Sequence, residues 1–353
     1  MQIKINHEKL SIFCKDILKK IGTNKETVKY TVDAMLHGSK YGIDSHGVRL
    51  LNHYIKGFEG GRINKTPKTR FSSNKNSTGT LDADNGHGAV GMYKAVNVAK
   101  ILANKNGIGA VAVKNSSHFG PAGAYAKKGA DQNLVTLVFG NSDSFVSLFD
   151  GVAKFHGTNP IALSAPTGEK NPWLFDIATS SVPVNKIELH RSLKKPLPEG
   201  VALDQKGKIT SDPDKAHTLT PLGGSDFGYK GAGLAGIAEI FSSILTGMSL
   251  SPDIPSMLGP DFSIPRKLGA FVICINPTSF VTKEIFISAM QRYLNLIRTS
   301  ESFPKRSVMA PGDREWKVFE KRKISGIPLD PQTEKDFKDL SKKYGVKLPW
   351  ISK

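Results

Sequence analysis

The sequence predicts an α/β protein flanked by helices at both ends, and three patterns predict it. Short β-branched apolar runs alternate with helical spacing from Gly79 to about Pro277, the signature of strands and helices in turn. Leu10, Phe13, Ile17 and Ile21 recur at helical spacing near the start, and residues 282–299, about 313–323 and 331–344 do so near the end. No apolar run approaches the roughly 20 residues that span a bilayer. The expected division is a helical unit from residues 1–75 plus 282–353, with the two terminal regions packed together, and an α/β unit from 76–281.

In chain order, the first helix carries the Leu10/Phe13/Ile17/Ile21 stripe, and its periodicity makes it part of the fold rather than a leader. Thr23-Asn24-Lys25-Glu26 has the capping-box pattern that opens a second helix. Asp44 or Ser45 is placed to cap a third, with Val48, Leu51, Ile55 and Phe58 on its apolar face and Gly60-Gly61 at its end. Thr80–Asp82 reads as a short strand, 92–104 as a helix, and 109–113, 134–139, 160–163 and 270–275 as further strands. Lys186 to His217 is polar and aperiodic, so a long exposed loop is expected there. An apolar helix is expected from Ala232 to about Thr246. Asp330-Pro331 starts the last helix with a cap and a proline at its first position.

With 353 residues and 39% hydrophobic content the chain can bury a sizeable core. Cys14 and Cys274 lie far apart in apolar segments without metal-type spacing. They read as buried free thiols of a reducing, cytoplasmic compartment, and no metal is called for. The net charge of +18 is concentrated at the ends: residues 1–75 hold 15 Lys and Arg against 6 Asp and Glu, and residues 301–353 hold 13 against 8. There is no dense basic stripe with interleaved aromatics, so nucleic acid is not the expected partner. A general pull on anionic substrates fits the charge, as does a lysine-rich solvated surface.

Two histidines stand out. His46 lies in Asp44-Ser45-His46-Gly47, and His118 lies in Ser116-Ser117-His118-Phe119-Gly120, just past the strand 109–113. Histidine exchanges protons near neutral pH, and ligands of α/β sheets gather beyond the carboxyl ends of strands. Two literal GxGxxG matches, at 86–91 and 231–236, lack the context of a Rossmann fingerprint. The first has no acidic residue about 20 residues on, and the second has no strand before it. Lys230 stands at the expected start of the 232–246 helix, where a phosphate would be favoured. Glu239, inside that helix, is either salt-bridged or functional.

The segments 44–51 (Asp-Ser-His-Gly-Val-Arg-Leu-Leu) and 61–64 (Gly-Arg-Ile-Asn) resemble the opening signature of the malate/L-lactate dehydrogenase family. This is the non-Rossmann type that includes ureidoglycolate, sulfolactate and diketogulonate oxidoreductases. The likeness continues in order through 115–120, Gly157-Thr158-Asn159-Pro160, Asp176-Ile177-Ala178-Thr179-Ser180, Pro221-Leu222-Gly223-Gly224, Gly228-Tyr229-Lys230-Gly231 and Pro311-Gly312-Asp313. The resemblance implies a mixed-sheet domain that binds NAD or NADP, a helical domain formed by both termini, and a homodimer. It implies His118 as proton acceptor and His46 as proton donor, with Arg49 and Tyr54 at the substrate. It implies Ser142, Asp176, Ile177, Ala178, Lys230, Pro311, Gly312 and Asp313 along the cofactor. The activity it implies is hydride transfer between the nicotinamide and a small 2-hydroxy acid or 2-keto acid, malate or lactate foremost. The alternatives are reduction of a cyclic imine within the same family, or a non-catalytic protein that binds polyanions.

Overall fold

The computed structural model describes residues 3–192 and 194–350. Residues 1–2, 193 and 351–353, which the expected boundaries include, lie outside it. Strand β1 (Lys4–Ile5) leads into α1 (His7–Lys20), and α2 (Lys25–Tyr41) follows after a short turn. The cap of α2 is Asn24, whose side-chain oxygen accepts the Thr27 N–H at 2.8 Å. The expected Thr23 cap is not made, because the Thr23 hydroxyl donates backward to the Leu18 carbonyl at 2.8 Å. The helix expected from Asp44 resolves into two 3-10 turns, Asp44–His46 and Val48–Leu50, before α3 (Leu51–Gly60). The Asp44 side chain caps no helix among the described residues; both its oxygens pair with Arg322, at 2.6 and 2.7 Å.

The central sheet begins earlier than the sequence suggested. β2 (Arg70–Lys75) and β3 (Thr78–Asp82) form a hairpin at its edge, so residues 70–75 are strand rather than helix. Then come α4 (Gly88–Asn106), β4 (Ile108–Ser116), α5 (Gly123–Ala130), β5 (Val135–Gly140), β6 (Val146–Ser147), β7 (Lys154–His156), β8 (Ile161–Ala165) and β9 (Trp173–Ile177). The segment expected as a long loop contains α6 (Val184–Ser192) and β10 (Ala202–Leu203). It folds because Ile187, Leu197, Val201 and Ala202 share a small core with Val146 and Leu219, a non-local set that no periodicity announces. β11 (Thr218–Leu219), α7 (Gly224–Glu239) with a π-helical turn at Ile240–Ile244, β12 (Leu268–Ile275), α8 (Lys283–Arg298), α9 (Asp313–Ser325), β13 (Ile327–Pro328) and α10 (Pro331–Tyr344) complete the chain.

The large sheet has the order β2-β3-β4-β12-β5-β8-β9. Only β3 and β4 are parallel neighbours; the other pairs are antiparallel. This mixed sheet is not a doubly wound parallel one, which agrees with rejecting both glycine patterns as dinucleotide fingerprints. Because β12 and β8 run opposite to their neighbours, the carboxyl ends of β4, β5 and β9 emerge on one edge. A smaller sheet, β10-β11-β6-β7, lies beyond it.

Two main cores result. Ala95, Val96 and Ala99 of α4 and Tyr125 of α5 pack on Val111, Val113, Val138 and Val272 of the sheet. The second core joins α1, α2, α3 and α10, with Phe13 against Phe337 at 4.8 Å between ring centroids. β1 and β13 pair antiparallel beside it. The two ends of the chain thus close on each other, whereas α8 has Leu294 as its one buried residue. No helix among the described residues is long and apolar enough to cross a membrane.

Gly88, at the start of α4, lets that helix approach the segment after β4. A Cβ there would lie 2.2 Å from the Ser117 carbonyl oxygen and 2.8 Å from backbone atoms of His118 and Phe119. Both partners are backbone, so one must move. Gly88→Ala is expected to destabilise the protein by about 1–3 kcal/mol, the usual cost of overpacking. Thermal unfolding tests this, and an unchanged midpoint would show that the 117–119 segment yields freely.

Candidate active site

Chain segments leaving the shared edge of the sheet enclose a cavity of about 980 Å³, near the top of the about 300–1,000 Å³ typical of ligand sites. His118 enters after β4, Asn141-Ser142-Asp143 after β5, and Asp176-Ile177-Ala178 at the end of β9. The opposite wall comes from the helical part: His46, Arg49, Asn52, His53 and Lys56, on and before α3. The segment 309–312 closes one side, and Met257, Leu258 and Phe262 close another.

His118 is held by Tyr54. The Tyr54 hydroxyl and His118 Nδ1 are 2.8 Å apart, which leaves Nε2 as the ring's second nitrogen for the cavity. Tyr54 itself is buried in the helical core and is not part of the cavity wall. It orients the histidine from behind instead of touching a ligand. Burial raises its pKa and keeps it a phenol. The same hydrophobic enclosure, aided by His46 and Arg266, holds His118 well below the ordinary histidine value of 6.5. His46 Nδ1 lies 2.9 Å from the Ser45 hydroxyl, and burial lowers its pKa to about 4. The two imidazoles stack at 5.6 Å between centroids. Both are neutral at pH 7.

The loop over the cavity is pinned by two arginines. Arg266, 2% exposed, pairs with Asp143, and its Nε donates to the Pro255 carbonyl at 2.9 Å. Its Nη1 is buried without a partner. Asp143 also accepts the Met257 N–H at 2.9 Å. Arg62 donates to the Ser256 carbonyl at 3.0 Å and to the Asp261 carbonyl. Asn141, Asp143, Met257, Phe262 and Arg266 were not anticipated from sequence. The rule that found His118, to look past the end of an apolar strand, also reaches Asn141 and Asp143. No local pattern marks Arg266.

Of the expected site residues, His46, His118, Arg49, Ser142, Asp176, Ile177, Ala178, Pro311 and Gly312 line this one cavity. Tyr54 stands behind it. Asp313 does not line it: its carboxylate is held by Arg298, at 2.8 and 3.0 Å, and accepts the Ala310 N–H at 2.9 Å. It braces the 310–312 turn. Gly312 sits at φ +97°, and a Cβ there would meet Trp316 Nε1 at 2.7 Å. Lys230 is also outside the wall. α7 begins at Gly224, so Lys230 is not at a helix start but inside the helix, exposed, with its ammonium 5.2 Å from the Phe227 ring centroid. The helix expected from Ala232 begins eight residues earlier, at Gly224, because Gly228 and Gly231 are accommodated inside it.

Glu239 is neither salt-bridged nor in the cavity wall. Its carboxylate accepts from Asn159 Nδ2 at 2.7 Å, the Ser251 N–H at 2.6 Å and hydroxyl at 2.7 Å, and the Ser243 hydroxyl at 3.1 Å. Asn159 in turn accepts the Ser142 N–H at 3.3 Å, so this buried carboxylate supports, through Asn159, one residue of the cavity wall.

The residues present fit a nicotinamide dinucleotide. The cavity takes its lining from three strand ends. Asp176 brings a carboxylate whose Oδ2 accepts the Gly123 N–H at 2.8 Å. Burial and the nearby Glu315 raise its pKa to about 6.

The family profile described as malate/L-lactate dehydrogenase matches residues 5–338. A malate dehydrogenase of Pyrococcus abyssi is 35% identical over 352 residues, covering 98% of this chain and 96% of that protein. An L-sulfolactate dehydrogenase of Methanocaldococcus jannaschii is 33% identical over 350 residues, covering 99% and 98%. The crystal structure of malate dehydrogenase from Entamoeba histolytica superposes with a TM-score of 0.94 at 29% identity, over 99% of this chain and 100% of that one. With the mixed sheet, the histidine pair and this full-length likeness together, the chain belongs to the malate/L-lactate dehydrogenase family.

Proposed function

We propose that the protein is a cytoplasmic oxidoreductase that transfers a hydride between NAD or NADP and a small 2-hydroxy acid or 2-keto acid of the malate or lactate type. The observation that carries this reading is the 2.8 Å Tyr54–His118 contact beside a cavity that Arg49 enters. The names of the two curated relatives, a malate and a sulfolactate dehydrogenase, support it. For oxidation, His118 Nε2 must accept the substrate hydroxyl proton, so Nδ1 carries the hydrogen and donates to Tyr54 Oη. The resulting imidazolium keeps that bond, and in reverse it returns the proton to the oxygen of a 2-keto acid. Arg49 holds the substrate carboxylate, and His46 packs on His118 as a second neutral imidazole within the site. A bound nicotinamide supplies the hydride acceptor in one direction and the donor in the other. Ser142, Asp176, Ile177, Ala178, Pro311 and Gly312 would hold it, with Asp313 bracing the last two. Cys14 and Cys274, both buried and unbridged, suit a reducing compartment.

A homodimer belongs to this proposal. Ile237, Ile240 and Ile244 form an exposed stripe along α7 and its π turn, and Ile285, Tyr293 and Leu296 do so on α8. Stripes of this kind are the usual mark of a contact surface.

His118→Ala should lower turnover on the order of 10²–10⁴-fold while the protein stays folded. The pH dependence follows from the direction of the shift. The free enzyme's base lies below 6.5, so kcat/KM for hydroxy-acid oxidation should stay level down to that pH and fall only on its acid side. Reduction needs the imidazolium, so its kcat/KM should fall as pH rises through neutrality. An oxidation limb that titrates above 6.5 would remove His118 from this role. Cyclic-imine substrates assayed in parallel separate the alternative chemistry.

Light scattering at moderate salt should give the mass of two chains, and Ile240→Asp with Ile244→Asp should give the mass of one. A monomeric parent with full activity would end the dimer proposal.

A further inference from the structure

The helical wall of the cavity carries two cations, one just before α3 and one on it, with no ion-pair partner among the described residues. Arg49 and Lys56 both line the cavity. Arg49 stands in the 3-10 turn before α3 and Lys56 on α3, seven residues apart, with Asn52 and His53 of the same wall between them. At about 1.5–2 Å of rise per residue along a 3-10 turn and an α-helix, their backbones are on the order of 10–14 Å apart, within reach of two groups on one small ligand. Neither makes a hydrogen bond or ion pair among the described residues. Lys56 nevertheless is close enough to His53 to help lower its pKa to about 4, after burial, Arg266 and Arg62.

Carboxylates that line the same cavity are engaged elsewhere. Asp143 is taken by Arg266, Glu188 by Arg191 at 2.5 Å, and Glu315 by Arg314 at 2.9 Å. Asp176 accepts the Gly123 N–H. Asp336, on α10, accepts from the Gln332 side chain at 2.9 Å. Other cations of the helical part are also spent: Arg62 on loop carbonyls, Arg322 on Asp44 and Lys343 on Glu59. Among the cavity's cations, Arg49 and Lys56 are thus left without an ion-pair partner among the described residues, along one wall, where a single carboxylate would use only one.

We infer that Arg49 and Lys56 form a two-cation anchor: Arg49 takes the C1 carboxylate of the substrate and Lys56 takes a second anionic group at its far end. This rests on the hydroxy-acid reading above and narrows it to acids with two anionic groups, in preference to monocarboxylates such as lactate.

The test uses the full chain with reduced nicotinamide cofactor and two keto acids, oxaloacetate and pyruvate. The parent should favour oxaloacetate in kcat/KM. In Lys56→Met the ratio of kcat/KM for oxaloacetate over pyruvate should fall about tenfold, which corresponds to about 1.4 kcal/mol, through KM rather than kcat. Lys56→Arg should restore most of it. Calorimetric titration with malonate, an inert dicarboxylate, should show weaker binding by Lys56→Met without any turnover. An unchanged ratio, or a weakened cofactor dissociation constant with unaltered KM for both acids, would overturn the anchor and give Lys56 to the cofactor or to solvent. A parent that prefers pyruvate would overturn the anchor alone. A parent that turns over neither acid would overturn the hydroxy-acid reading and the anchor with it.

Discussion

The contact between Tyr54 and His118 is the constraint on which the site depends. Tyr54 belongs to α3 and the helical core; His118 belongs to the segment after β4. Neither core alone can place the imidazole. The helical part must dock on the sheet for the phenol to reach Nδ1, and only then is one tautomer selected and Nε2 left for chemistry. On the sheet's side the segment that carries His118 is confined by α4, whose residue 88 has no room for a side chain beside the Ser117 backbone. A proton-transfer group needs positioning of this kind, because reach comes before pKa.

Around that contact the protein fixes its buried charges by hydrogen bonds to its own groups. Asp143 and Arg266 form a buried pair that also ties down the Pro255 and Met257 backbone. Removing either partner would leave the other as an uncompensated buried charge, which is strongly destabilising. Glu239 is buried without a cation, but four donors satisfy it. Charge-assisted hydrogen bonds of this kind are stronger than neutral ones, and here they hold Asn159 and through it Ser142. Ser142 of the cavity wall is therefore held from behind, while Arg49 and Lys56 of the helical wall make no ion pair among the described residues.

Burial of the histidines shapes the electrostatics in the same direction. His46, His53 and His118 are all shifted toward the neutral form, so the positive charge facing a ligand comes from Arg49 and Lys56. An anionic substrate then meets fixed cations at its acid groups and a neutral imidazole at its hydroxyl, the arrangement that a base needs in order to accept a proton.

Much of this was legible in the sequence because it is local. The Leu10/Phe13/Ile17 stripe, the β-branched strands 109–113 and 270–275, and the Asp330-Pro331 start declare themselves within a few residues, and the two Ser-His segments mark themselves as chemistry by residue type. The ordered motifs from Asp44 to Asp313 also identify the family. What tertiary structure decided is non-local. Asp44 looked like a cap, but Arg322 lies 278 residues away and takes its carboxylate. Lys230 looked like a helix start, but packing accepts the preceding glycines within α7. Arg266 carries no motif, and it matters only because folding buries it against Asp143, 123 residues earlier in the chain. Local periodicity reports what a segment does by itself; which carboxylate meets which cation is set by strand order and helix docking, and those emerge only when the whole chain is packed.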